Sequence, residues 1–319
     1  MPIPVVAVVG PTGVGKSDIA VECALELGRR GIGAEVVNAD AMQLYAGMTI
    51  GTAKLVGPAQ QGIVHHLFDI WPVSKEASVA DYQQAARVVI DDCLERGVVP
   101  LLVGGSGLYV SSVLYEFDFP GADKAVRARL EQRLQEEGVD VLAAELAEKD
   151  PEAAEAIDPR NSRRIVRALE VIEMTGKPFG AGLHARSTLW REPIIVTGLT
   201  RPRPDLARAL EERISRMWEA GFVDEVRGLQ DTGQELGVTA SQAIGYRQVM
   251  AFLAGQMTQQ EAMAETVSLT KRYARRQMSW FRRDPHIVWH ELDTSHSPEA
   301  VVEQLVAHIS ELVSLTPGG

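Results

Sequence analysis

The chain has 319 residues, 45% hydrophobic and 24% charged, which fits a soluble globular protein of roughly two domains and excludes a collagenous, disordered or disulfide-stapled one. Cys23 and Cys93 are too few for a zinc module and suit a reducing compartment, and no apolar run approaches the roughly 18 residues needed to span a bilayer. The formal charge of −11, from 43 acids against 32 bases, argues by itself against a nucleic-acid partner, because phosphate backbones are held by cationic surface; a sum, however, hides distribution.

Val5-Val6-Ala7-Val8-Val9 is a short β-branched run bounded by Gly10 and reads as a buried parallel strand. The stretch 3–9 has no basic flank, so it does not read as a signal peptide. Residues 18–27 have helical composition, 34–38 form a second strand, 81–96 a helix, and 98–103 a third strand ending at Gly104-Gly105. The middle differs. Residues 122–148 are charged and helical, with Val126, Leu130 and Leu134 four apart, and a helix over 161–174 stops at Thr175-Gly176-Lys177-Pro178. No convincing strand falls between about 118 and 190. Residues 193–198 and 286–292 read as further strands, and 206–226, 257–282 and 298–313 as helices.

Gly10-Pro11-Thr12-Gly13-Val14-Gly15-Lys16-Ser17 matches the phosphate-loop pattern in full, between a predicted strand and a predicted helix. The glycines let successive backbone N–H groups point at one anion, and the helix N-terminus adds positive potential. Lys16 places a charge on the phosphates, and Ser17 can offer its hydroxyl to Mg²⁺. A ligand-free glycine turn is the alternative, against which the full register of strand, loop and helix counts. The expected fold is therefore α/β: a P-loop NTPase-like parallel-sheet core with a mainly helical insertion. Its parts are residues 1–117, the insertion 118–192, and the returning core 193–319. The loop leaves open a nucleotide hydrolase, a kinase, or an enzyme with pyrophosphate as leaving group. A switch GTPase needs a second strand ending in a magnesium-binding Asp, and the segment after Asn38-Ala39-Asp40 is unlike a switch.

Asn38-Ala39-Asp40-Ala41-Met42-Gln43-Leu44-Tyr45, then Gly47-Met48-Thr49-Ile50-Gly51-Thr52-Ala53-Lys54, resembles a signature of tRNA dimethylallyltransferases. His65-His66-Leu67-Phe68-Asp69, Gly104-Gly105-Ser106-Gly107-Leu108-Tyr109 and Arg164-Ile165-Val166-Arg167-Ala168-Leu169-Glu170 extend the match, as do Ile244-Gly245-Tyr246-Arg247-Gln248 and Arg275-Arg276-Gln277-Met278-Ser279-Trp280-Phe281-Arg282. These run in order over nearly the whole chain. Ala41 departs from the commoner Ser, and the zinc-finger tail of eukaryotic relatives is missing.

The resemblance implies transfer of a dimethylallyl group from dimethylallyl diphosphate to N6 of adenosine 37 in the tRNA anticodon loop, releasing pyrophosphate with Mg²⁺. The chemistry suits the residues. Adenine's exocyclic amine is a poor nucleophile, and Asp40, at the carboxyl end of a strand beside the phosphate loop, can accept its proton; without the resemblance, Asp40 could equally be a helix cap. Gln43 can meet the adenine edge. Thr12, Lys16, Mg²⁺ on Ser17 and, by resemblance, Arg213 would stabilise the leaving group. By resemblance, tRNA contacts fall to Asp40, Ala41, Met42, Gln43, Ser106, Arg127, Arg163, Arg164, Ile165, Val166 and Arg167. Gln242, Ala243, Ile244, Gly245, Tyr246 and Arg247 join them, with the segment from Arg275 to Arg282. The adjacent His65 and His66 diverge on any regular element, so a hydrogen-bonding role is expected and no metal ligand is assigned.

The bases are grouped. Arg163, Arg164 and Arg167 share one face at helical spacing, with Ile165, Ala168, Leu169 and Ile172 opposite. Arg201, Arg203, Arg208, Arg213 and Arg216 recur in one stretch. From 269 to 283 there are six bases and no acid: Lys271, Arg272, Arg275, Arg276, Arg282 and Arg283, on one broad helical face with Tyr273 and Trp280 turned away. A merely solvated face in so acidic a chain should carry glutamates. The insertion and this strip are expected to clamp an anticodon arm whose target base is drawn from its stack. A cytoplasmic monomer with no membrane contact is expected. A free-nucleotide (adenylate) isopentenyltransferase would need no basic insertion. A P-loop nucleotide kinase, for which the loop could hold ATP, leaves the Asp40 segment unexplained. A non-catalytic RNA-binding module leaves the loop idle.

Overall fold

The run Val5–Val9 forms strand β1 and is buried along its whole length, as a strand covered on both faces must be. Helix α1 (Lys16–Arg29), β2 (Ala34–Asn38), β3 (His65–His66), α2 (Val79–Glu95), β4 (Val99–Gly104) and α3 (Gly107–Leu114) follow. The computed structural model describes residues 3–117, 119–179, 188–231, 233, 235–293 and 297–314. They belong to two compact units: Met1–Leu114 with Arg191–Gly319, and Tyr115–Trp190. Residue 118, the expected start of the insertion, lies outside the described residues.

The second unit holds α4 (Lys124–Glu137), α5 (Val139–Lys149), α6 (Pro151–Ala156) and α7 (Ser162–Thr175). The charged helical segment expected over 122–148 is two helices, because Gly138 takes φ 88° between them. Asp123, Asp150 and Asn161 cap α4, α6 and α7 with side-chain oxygens on first-turn N–H groups. Leu130, Leu142, Leu146, Ile157, Ile165 and Leu169 make the unit's apolar centre. The side chain of Glu170 is fully buried there and accepts from Arg127 at 2.6 Å, Arg167 at 2.9 Å and the Asp123 N–H at 3.1 Å. Burial alone would raise its pKa; the two arginines overcome that and hold it below the usual carboxylate range.

The first unit resumes with β5 (Ile194–Thr200), α8 (Arg203–Glu219), α9 (Phe222–Asp231), α10 (Val238–Ser241), α11 (Tyr246–Leu253), α12 (Gln259–Phe281), β6 (Ile287–Glu291) and α13 (Pro298–Ser314). The segment expected as one helix over 206–226 breaks into α8 and α9. The six strands lie in the order β3-β2-β4-β1-β5-β6, all parallel. Val9 pairs with Gly104 and Gly198, and Asn38 with Val103, so the carboxyl ends of β1, β2, β4 and β5 reach one edge together. On one face Val6, Val8, Leu101, Val103 and Leu199 pack with Val302, Leu305 and Ile309 of α13. Each such burial is worth about 1.5–3 kcal/mol. Among the described residues, no helix is long and apolar enough to cross a membrane.

Candidate functional site

The phosphate loop leaves β1 at the shared carboxyl edge. Gly13 and Gly15 take φ of 79° and 104°, which a side chain would strain, and so turn the backbone into the cradle. Lys16 Nζ donates to Pro11 O at 2.8 Å. Burial pushes its ammonium down to about 8; Asp40 opposes that shift and Arg213 adds to it. Arg213, on α8, donates to Thr12 Oγ1 at 3.1 Å and to Thr52 O at 3.3 Å.

The loop after β2 is built from its own side chains. Asn38 accepts from the Asp40 N–H at 2.9 Å and donates to Asp40 O at 3.1 Å and Leu67 O at 3.2 Å. Asp40 Oδ1 accepts the Met42 N–H at 2.9 Å, so it closes a turn rather than capping a helix. The Ala41 N–H donates to Ser106 Oγ at 3.2 Å, and Ser106 Oγ lies 3.5 Å from the Tyr273 hydroxyl. Burial, with Asp40 nearby, pushes that phenol up to about 12, so it stays protonated. The Gln43 amide nitrogen donates to Thr52 O at 3.0 Å, which ties this side chain to the loop.

Thr12, Asp40, Ser106, Arg213 and Tyr273 line one chamber of about 300 Å³, with an apolar wall of Leu210, Ile214, Met217 and Phe222. Ala243, Ile244, Gly245 and Tyr246 close another side. A second hollow is lined by Gly13, Gly15, Lys16 and Ser17 of the loop and also by Arg213. The Ser17 hydroxyl sits there beside Lys16 and Asp18, and a hydroxyl that can join phosphate oxygens is the donor chemistry Mg²⁺ takes; these residues fit the ion.

Sequence reasoning missed Glu225 of α9. It accepts the N–H groups of Thr49 at 3.0 Å, Ile50 at 2.6 Å and Gly51 at 3.1 Å, and the Tyr246 hydroxyl at 2.6 Å. It thereby fixes the turn whose next carbonyl, Thr52 O, takes Arg213. Burial and the Glu225 charge both raise the Tyr246 pKa. One acid on an amphipathic helix carries no sequence signal.

The residues expected on tRNA divide. Arg163, Arg164, Gln242, Arg247, Arg275, Arg276, Ser279 and Arg282 are exposed. Met278, Ile244, Ala41 and Met42 are half-buried. Ile165, Val166 and Phe281 are buried in apolar packing, and so their side chains offer nothing to a surface ligand. Gln277 is buried too: Thr12 N–H donates to its Oε1 at 2.9 Å and its Nε2 donates to Gly105 O at 2.8 Å, so it ties α12 to the phosphate loop. Trp280 donates to Ser111 Oγ at 3.2 Å and packs on Gly107, where a Cβ would stand 2.3 Å from its ring. Arg127 and Arg167 are engaged with Glu170. His65 Nδ1 contacts Ile63 O at 2.9 Å, and His66 Nε2 lies 2.7 Å from Glu35, whose carboxylate Arg96 also grips. The pair thus hydrogen-bonds as expected.

Comparisons with known proteins point one way. The family model described as IPP transferase matches residues 43–284. A tRNA dimethylallyltransferase of Thermobifida fusca is 58% identical over 285 residues, 89% of each chain. One of Streptomyces coelicolor is 55% identical over the same shares. Among solved structures, the full-length tRNA isopentenylpyrophosphate transferase of Bacillus halodurans superposes with a TM-score of 0.69 at 36% identity, covering 98% of this chain and 99% of its own. A eukaryotic dimethylallyltransferase shares the fold with a TM-score of 0.80 at 24% identity, over 98% of this chain and 80% of that one.

Proposed function

The chain belongs to the IPP transferase family, and on that premise we propose that it transfers a dimethylallyl group from dimethylallyl diphosphate to N6 of adenosine 37 in the anticodon loop of tRNA, releasing pyrophosphate. The observation that carries the residue assignment is the chamber in which Asp40 and the Arg213–Thr12 pair face one apolar wall.

The bond that forms joins N6 of the adenine to C1 of the prenyl group. The bond that breaks joins C1 to the bridging oxygen of the diphosphate. Asp40 takes the N6 proton as the amine becomes electron-poor. Met42 N–H holds Asp40 Oδ1, which sets the carboxylate's orientation before the base arrives. Negative charge grows on the departing oxygen. Arg213 and Lys16 supply the opposing charge, from groups already held by Thr12, Thr52 and Pro11 and so needing little reorganisation. Mg²⁺, held by Ser17, would add charge neutralisation on the diphosphate. Leu210, Ile214, Met217 and Phe222 suit a five-carbon prenyl chain and exclude water that would otherwise compete as acceptor. Ser106 and Tyr273 lie beside Asp40 and can orient the base.

The exposed arginines of α12 favour tRNA over a free nucleotide as acceptor, since AMP has no backbone for them to hold. Two buried cysteines suit a reducing cytoplasm, where the chain acts as a monomer. Purified protein with labelled dimethylallyl diphosphate is offered tRNA, AMP or no acceptor. Label is expected in tRNA; label in AMP with none in tRNA would overturn the reading.

A further inference from the structure

We propose that Arg201 is a further diphosphate-binding residue, gripping the phosphates beside Gly15 of the loop. The proposal deepens the function above and rests on it. Arg201 directly follows β5, whose register puts Gly198 against Val9. The start of the phosphate loop rides on that strand end: a Cβ at Gly10 would meet Leu199 O at 2.4 Å. Arg201 is therefore placed by the same pairing that places the loop.

Its guanidinium approaches the cradle. Nη2 lies 3.7 Å from where a Cβ on Gly15 would stand, and the side chain lines the hollow shared by Lys16, Ser17 and Arg213. Five cations border this hollow: Lys16, Lys54, Arg201, Arg213 and Arg216. Four of them donate to protein oxygens. Lys16 reaches Pro11 O, Lys54 reaches Asp69 and Tyr45 O, Arg213 reaches Thr12 and Thr52 O, and Arg216 reaches Glu212 O. Among the described residues, the Nε of Arg201 is buried and has no hydrogen-bond partner.

The buried Nε is closed to an incoming oxygen, so contact with a ligand falls to the Nη end of the guanidinium, which approaches Gly15. A guanidinium offers parallel N–H groups matched to phosphate oxygens. The anion that brings such oxygens to Gly15 and Lys16 is the diphosphate of the donor, or the pyrophosphate it becomes. Arg201 also borders a groove with Arg275 and Arg282, which makes an RNA phosphate the competing ligand. The approach of Nη2 to Gly15 of the loop favours the diphosphate.

Arg201→Ala and Arg201→Lys test this, with pyrophosphate binding read by calorimetry alongside KM for dimethylallyl diphosphate and for tRNA. Arg201→Ala should weaken pyrophosphate by about tenfold, the loss of one charge-assisted contact. Donor KM should rise in step, with tRNA KM unchanged. Arg201→Lys keeps the charge without the fork and should recover part of the loss, and it carries the test if the alanine variant melts early. Unchanged pyrophosphate affinity in both variants overturns the assignment. So does a rise in tRNA KM alone, which gives Arg201 to RNA. Pyrophosphate binding is read without an acceptor, so its loss in a protein that prenylates no tRNA would sink the transferase reading and leave Arg201 on the anion.

Discussion

Asp40 is held from both sides, its N–H by the Asn38 side-chain oxygen and its Oδ1 by the Met42 N–H, and among the described residues no salt bridge engages it. That makes Asp40→Asn a clean probe, since the amide is nearly isosteric and its oxygen can still accept from Met42. Transfer to tRNA should fall by about 10²–10⁴, the usual worth of a positioned base, while tRNA binding by gel shift survives. Equal turnover in the two proteins would remove Asp40 as base. Glu225 belongs to the same scale and acts at one remove. Replacing it with Gln presents an N–H₂ to backbone N–H groups that now share a carboxylate, so the 49–52 turn loosens and with it the Arg213 anchor at Thr52 O. A fall of about tenfold in kcat is expected, with KM for tRNA unmoved. A matched loss in melting temperature with kcat intact would assign Glu225 to folding alone. These two residues mark what could be read in advance. Asp40 follows the carboxyl end of a strand beside a phosphate loop, a pattern with a physical meaning. Glu225 works through three N–H groups 174–176 residues away in sequence, a relation that periodicity and composition do not encode.

At the scale of elements, α12 does two jobs with two faces. A capping box of Thr258 and Glu261 starts it, and the helix then runs to Phe281. Its exposed face carries Arg272, Arg275 and Arg276, with Arg282 at its C-cap; its buried face sends Gln277 to Thr12 and Gly105. The segment was legible as one basic strip because charge patterning shows which residues are alike, not which way each one points. Gln277→Leu should leave Thr12 N–H and Gly105 O unmatched, lower stability by about 1–3 kcal/mol, and raise donor KM with tRNA affinity constant. The opposite pattern, with tRNA lost and donor retained, would return Gln277 to the RNA surface. β1 and β4 were legible for a simple reason: a parallel strand buried on both faces must be a continuous apolar run. β3 was not, since two histidines carry no period. Its neighbourhood has a pH signature. Arg96, with His66 and Cys93, holds the Glu35 carboxyl down at about 2 against the effect of burial. Its unfolded value is near 4.5, so between those limits the unfolded chain binds more protons and stability falls as pH drops through the window. Urea midpoints at pH 5 and pH 3 should therefore separate more in the native protein than in Glu35→Gln; parallel losses would place the acid sensitivity elsewhere.

For the whole molecule the question is how a protein of charge −11 holds a polyanion. The two units each expose arginines, Arg163 and Arg164 on α7 and those of α12 and its C-cap, while Arg127 and Arg167 are consumed in holding Glu170. Counting arginines in the sequence therefore overstates the surface available to RNA, and the ion pairs decide which remain. The net negative charge weakens encounter with polyanions in general and leaves binding to the exposed patches. Salt dependence reads this directly. Each phosphate neutralised releases counterions, so log affinity falls with log salt in proportion to the contacts made. Arg275→Glu and Arg276→Glu should each weaken tRNA binding and make that slope shallower by about one contact, and the pair should nearly add. Arg29→Glu is the control: Arg29 ends α1, about 20 Å along the helix from the phosphate loop, and it already pairs with Glu26. It makes the same change in net charge. If net charge governed binding, all three single variants would weaken tRNA alike with the slope preserved. If local contacts govern it, only the α12 variants change the slope, and Gln277→Leu, which alters no charge, leaves it where it was.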